Sequence, residues 1–217
     1  MEQRTIRITG EGSKKFKPDQ TKISLSYKSV LPTYDEALEK AAEYTRLIKA
    51  KALEAGAEEG SVRTSSFDVS ADYESYTDKE GNRRSRFNGY AAEVDFTITI
   101  PFDNKLLSKV LFALKDYAGK FRLSYSLKDR ERAKEEVTAL AVASARKKAE
   151  LLASAAGEKL GELLSIDYSY GRVEVDYGYR EDLCCSITNK FSEAPQMEID
   201  PEDLTVSDTV NIVWALA

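Results

Sequence analysis

The opening of the chain, Ile6-Arg7-Ile8-Thr9-Gly10-Glu11-Gly12, passes through Lys17-Pro18-Asp19 into Ile23-Ser24-Leu25-Ser26-Tyr27, and it constrains the fold more than any other stretch. Ile23, Leu25 and Tyr27 alternate with Ser24, Ser26 and Lys28, the period of a strand with one face buried and one wet. The stretch reads as two strands forming an initial hairpin, with Gly10-Glu11-Gly12 as a tight turn or bulge. A phosphate loop is the sharper alternative, but the third glycine of a dinucleotide fingerprint is missing and no helix follows. Lys14, Lys15 and Lys17 then read as solvated side chains of an exposed hairpin loop.

Beyond this pair, Thr33 with Glu36 three residues later forms a capping box. Ala37, Leu38, Ala41, Tyr44, Leu47, Ile48 and Ala52 follow at helical spacing, and Gly56 closes the helix. The runs from Val62 to Tyr76 and from Arg86 to Ile100 read as a long hairpin, with Val94, Phe96, Ile98 and Ile100 on one face. Asp103 caps a second helix that ends near Gly119, and Phe121, Leu123, Tyr125 and Leu127 form the next strand. Asp129 opens the longest helix, with Val137, Leu140, Ala141, Ala145, Ala149, Leu152 and Ala156 as its apolar positions before Gly157. Its alanine face lets a partner surface approach closely. Leu164 and Ile166 begin another strand. The chain closes in a last strand whose inward positions are Val206, Val210, Ile212 and Trp214, with a break in alternation near Ser207.

The order ββαββαβαββ defines an α+β fold, an antiparallel or mixed sheet with helices packed on it. Its interior β-α-β-β-α-β is a ferredoxin-like split unit. A chain of 217 residues with 42% hydrophobic and 32% charged residues supports a single domain over residues 1–217, with an irregular tyrosine-rich and acidic excursion at about 171–202. The formal charge of -5 argues against nucleic acid as a partner. No window approaches the roughly 18 apolar residues of a membrane span. Met1-Glu2-Gln3-Arg4 has no leader-like apolar run, so the chain as given reads as cytoplasmic; if a signal peptide was removed, it reads as periplasmic or exported.

Histidine is absent, which removes the commonest general base and transition-metal ligand. The two cysteines, Cys184 and Cys185, are neighbours and match no metal-ligand spacing. Neither a catalytic residue, a cofactor-binding residue nor a metal ligand is assigned, and the reading leans away from an enzyme.

In order and spacing, several segments together resemble the SIMPL-domain family, a largely bacterial family whose biochemical function is not established. They are Ile6-x-x-x-Gly10-x-Gly12, Lys17-Pro18-Asp19, Ala37, Gly56 before Val62-x-Thr64-x-x-Phe67, Gly89-Tyr90, Asp103 and Leu127-x-Asp129. The helix from Ala139 to Ala156, then Gly157-x-x-Leu160-Gly161 and Val206-Ser207, complete the pattern. The resemblance implies an α+β protein, often exported to the periplasm, self-associating, and linked in some members to oxidative-stress tolerance or signalling interactions. It carries over no catalytic residues. This chain departs from the pattern at Asp72-Tyr73, where a proline is common before the aromatic residue, and in carrying Cys184-Cys185.

Two candidate sites follow. Tyr168, Tyr170, Tyr177 and Tyr179, with Tyr73, Tyr76 and Tyr90 elsewhere, suit a strand face or a subunit contact. Cys184 and Cys185 are the redox candidates, although no Lys, Arg or His flanks them to stabilise a thiolate. Glu198, Asp200, Glu202 and Asp203 supply hard oxygens, but without the glycine of a calcium loop they read as a solvated acidic linker. The leading expectation is a non-enzymatic scaffold or interaction module that forms homo-oligomers or takes a protein partner. The alternative is a thiol-dependent oxidative-stress protein or small-ligand binder using Cys184 and Cys185.

Overall fold

Alternation builds the strands and alanine spacing builds the longest helix, but the pairing of the strands differs from the order in which they are made. The computed structural model describes residues 4–118, 120–168, 174–176, 181–184 and 197–217. It divides into two compact units, one of Met1–Asp19, Ser126–Gly178 and Pro201–Ala217, the other of Gln20–Tyr125 and Tyr179–Asp200.

In the first unit, β1 (Thr5–Phe16) pairs antiparallel with the last strand, β9 (Leu204–Leu216), in unbroken register from Thr5 opposite Ala215 to Phe16 opposite Leu204. Strand β6 (Leu160–Asp167) lies on the other edge of β9, and the short β7 (Glu174–Asp176) pairs with β9 as well. Helix α3 (Arg130–Ala155) is capped by the Asp129 side chain, which accepts from the Arg132 amide. Its buried positions, Ala133, Val137, Ala141, Ala145, Ala149 and Ala153, recur every four residues. Ala141, Ala145 and Ala149 share a core with Ile8, Val210, Ile212 and Trp214. Leu140 and Leu152, expected on that stripe, are exposed instead.

The Gly10-Glu11-Gly12 stretch is neither a turn nor a bulge, since it lies inside β1 where the register to β9 is continuous. Its two glycines face α3. A Cβ at Gly10 would stand 2.1 Å from the Ala141 carbonyl oxygen and 2.6 Å from the Ala145 Cβ, and one at Gly12 would stand 2.2 Å from the Val137 oxygen. Glycine on the strand and alanine on the helix therefore let two backbones touch. The expected hairpin between the first two strands is also corrected, because β1 pairs with β9 whereas β2 (Gln20–Leu31) pairs with β4 (Arg83–Pro101). The physical reason sits in Lys17-Pro18-Asp19. Pro18 has no amide to extend a ladder, and Asp19 is tied elsewhere: its amide donates to the Ser126 oxygen and its carboxylate accepts from the Lys128 amide.

In the second unit, the strand order is β3-β4-β2-β5-β8, with β3 (Val62–Thr77), β5 (Lys120–Ser126) and β8 (Glu181–Cys184) completing the sheet. Strand β4 is inserted between β2 and β3, and β2 between β4 and β5, which is the split ferredoxin-like order expected of this segment. The capping box at Thr33 and Glu36 starts α1 (Tyr34–Glu54), and Asp103 caps α2 (Asn104–Leu114). Helix α2 stops at Leu114, earlier than expected. Ile23 and Leu25 of β2 join Val94, Phe96, Ile98 and Ile100 of β4 in the core, against Ala37, Ala41, Ile48 and Ala52 of α1 and Leu107, Val110 and Leu111 of α2. The opposite face of β2 and β4 carries Ser24, Ser26, Lys28, Glu93, Asp95 and Thr97, as alternation requires.

Strands β3 and β4 outrun the rest of their sheet. The last partner of β2 on β4 is Tyr90, opposite Leu31, while β3 and β4 stay paired from Asp72 opposite Gly89 to Thr77 opposite Arg83. Register shifts between Thr64 and Ser66, and between Asp72 and Tyr73, interrupt β3.

Candidate functional site

The two-stranded ribbon beyond β2 is unusual in what it exposes. Tyr73 is 62% exposed, Phe87 50% and Tyr76 43%. The rings form a chain of edge-to-face contacts, Tyr73 to Phe87 at 5.8 Å, Phe87 to Tyr90 at 5.4 Å, and Tyr90 to Tyr34 of α1 at 5.8 Å. Such pairs hold ring orientation and leave the outer faces free for a further surface. Polar bonds stiffen the same ribbon. Arg86 donates to Glu74 at 2.7 Å and lies over the Tyr76 ring, and Asn88 donates to Asp72. At the tip, the Asp78 carboxylate accepts from the Glu80 and Asn82 amides and from Arg84 Nε at 2.6 Å. The Arg84 bond first, then the backbone amide of Asn82, holds the Asp78 carboxyl below its ordinary value.

In the first unit, a buried carboxylate takes a position reserved for an apolar residue. β9 alternates without a break: Leu204, Val206, Asp208, Val210, Ile212 and Trp214 all point inward, which corrects the expected break near Ser207. Asp208, 1% exposed, lies opposite Gly12 and beneath α3. Its Oδ2 accepts from Thr138 Oγ1 at 2.5 Å and from the Tyr168 hydroxyl at 2.9 Å, and its Oδ1 accepts from the Thr209 amide at 2.8 Å. The missing side chain at Gly12 brings the helix close enough for Thr138 to reach the carboxylate. Thr138 and Tyr168 also line an open groove of ≈ 740 Å³ with Glu131, Lys134, Glu135, Ala139 and Val142. Asp208 accepts from both hydroxyls, so the cluster pins α3 and the end of β6 to β9.

Among the tyrosines singled out from the sequence, Tyr168 is drawn into this cluster, while Tyr170, Tyr177 and Tyr179 lie outside the described residues. Cys184 ends β8 with its backbone opposite Lys120, and Cys185 lies outside the described residues. Tyr73, Tyr76 and Tyr90 belong to the ribbon, where Phe87 joins them. Sequence reading missed both Asp208 and Phe87. The signal for Asp208 was an acid in phase with Val206 and Val210; for Phe87, a ring opposite Tyr73 in a hairpin already expected. The alanine face of α3, read as a docking surface, is filled from within by β1 and β9.

An α+β protein with a glycine–alanine seam, a ferredoxin-like unit and a protruding aromatic ribbon is the class these observations define. The SIMPL model, described as a protein of unknown function (DUF541), matches residues 6–214, and the chain belongs to that family. A search of the curated proteins finds no match. Among the described residues, no helix is long and apolar enough to cross a membrane.

Proposed function

We propose that this protein is a non-enzymatic interaction module that associates with copies of itself through the β3–β4 ribbon. The observation that carries this reading is the exposure of Tyr73, Tyr76 and Phe87 on a ribbon that, among the described residues, has no third strand beside it beyond Leu31. A two-stranded ribbon is marginal in water unless a further surface covers its apolar side. Tyrosine and phenylalanine are also the residues that anchor protein contacts, since each covers a large area with few rotatable bonds. Light scattering on the purified protein tests the reading: at high micromolar concentration the mass exceeds that of one chain, and the Tyr73→Ser/Phe87→Ser variant returns to a monomer. A strict monomer in the unmodified protein overturns self-association.

A further inference from the structure

Between its two register shifts, β3 offers a regular edge from Ser66 to Asp72, and β4 is its only partner in the sheet among the described residues. The edge has two chemically distinct sides. Phe67, opposite Val94, and Val69, opposite Ala92, stand on the side that α1 and α2 cover toward the sheet centre, yet Phe67 remains 48% exposed. The other side carries Ser66, Asp68 and Ser70, opposite Asp95, Glu93 and Ala91. Asp68 faces Glu93 directly, with Asp95 one pair away. Like charges in directly opposed positions repel. Lys28 pairs with Glu93 at 2.5 Å, but neither Asp68 nor Asp95 has an ion-pair partner among the described residues.

We propose that this edge binds an extended peptide by strand addition, the peptide presenting apolar residues to Phe67 and Val69 and lysine or arginine to Asp68 and Asp95. The inference rests on the reading of the protein as an interaction module and names a partner chemistry for it. An added strand satisfies the outward amides and carbonyls of β3, covers Phe67, and brings the cations that Asp68 and Asp95 lack among the described residues. A second copy of this edge does not meet that requirement, because antiparallel self-pairing sets an acid-bearing strand against another. The edge therefore selects a basic, alternating strand, and the aromatic ribbon beyond Asp72 stays free for copies of the chain.

Fluorescence anisotropy with a labelled heptapeptide alternating lysine and valine tests the proposal on the intact protein. Saturable binding is expected, with none for a heptapeptide alternating glutamate and valine. Asp68→Lys, an exposed change with little bearing on folding, weakens binding by at least about fivefold. Two further probes are N-methylated at alternate residues in the two possible phases. Only one edge of an added strand faces β3, so one of the two loses binding and the other keeps it. Equal binding of both methylated probes, or of a heptapeptide with its lysines in one block, overturns strand addition. The mass without peptide is measured in parallel. A monomer that binds the heptapeptide removes self-association and leaves this proposal standing, whereas an oligomer that ignores it removes this proposal alone.

Discussion

The seam between β1 and α3 and the ribbon of β3 and β4 use side-chain size in opposite ways. At the seam, Gly10 and Gly12 meet Ala141 and Ala145, and the contact is tight because almost nothing projects from either backbone. On the ribbon, Tyr73, Tyr76 and Phe87 project far, and their ring contacts among the described residues are the Tyr73–Phe87 and Phe87–Tyr90 pairs and the Arg86 guanidinium over Tyr76. The difference teaches where each part of the molecule finishes its contacts. The seam is complete within one chain, and a change there has no room to relax. The ribbon is sparse in burial and rich in ring surface, so a change there costs little folding energy and alters what the protein meets.

The sharpest way to break that contrast is Gly10→Ala. The added methyl points at a helix carbonyl that no rotamer change can move, and we expect a loss of about 3 kcal/mol or more. Urea unfolding followed by the fluorescence of Trp214, the one tryptophan of the chain and part of the same core, reads it directly. A loss under about 0.5 kcal/mol, the range of an ordinary surface change, would mean the seam is not tight.

Asp208→Ala comes next, at about 2 kcal/mol, because the Thr138 and Tyr168 hydroxyls lose their acceptor. Pairing it with Thr138→Val recovers part of the loss if the hydrogen bond is its cause, and strict additivity of the two would contradict that. Tyr73→Ser/Phe87→Ser changes unfolding free energy by less than about 0.5 kcal/mol while lowering the mass in solution. A large stability loss in that variant would move the ribbon to the side of the seam.

The smallest effect belongs to Asp78. Its carboxyl titrates lower in the folded ribbon than in the unfolded chain, so its contribution is present above the ordinary carboxylate range and is lost as pH falls through the folded value. The protection of the Glu80 and Asn82 amides from exchange, relative to the intrinsic rate at each pH, should therefore fall below about pH 3.9, the ordinary aspartate value, and Asp78→Asn should show that lower protection already at neutral pH.

The α+β class and the split ferredoxin-like order were legible because each depends on local signals. The Thr33 and Glu36 box, the Asp103 and Asp129 caps, and the alternation through Val94 to Ile100 are all satisfied where they stand. Pairing was not local. Whether β1 joins β2 or β9 turns on a helix more than a hundred residues further on, whose alanines make sense of Gly10 and Gly12. Read in isolation, those glycines look like a turn, since small size and conformational freedom leave the same letter in the sequence. Asp208 was hidden for a related reason: an acid in an apolar phase looks like an interruption until its two hydroxyl donors are known. Leu140 and Leu152 were misplaced because a stripe repeating every four residues is narrower than a helical face drawn at average width.

The position of β9 has a consequence for how the chain is made. Among the described residues every other strand of its sheet pairs with it, yet it follows all of them in the chain. Thr5 must wait for Ala215. The insertion that holds α1 and α2 can acquire most of its pairings while β1 is still without a partner. The first unit is thus the slow one, limited by a closure that runs from Thr5 to Ala215, the widest sequence separation among the described strand pairings. Removing β9 takes away the strand that joins β1 to β6, and among the described residues the sheet has no alternative centre.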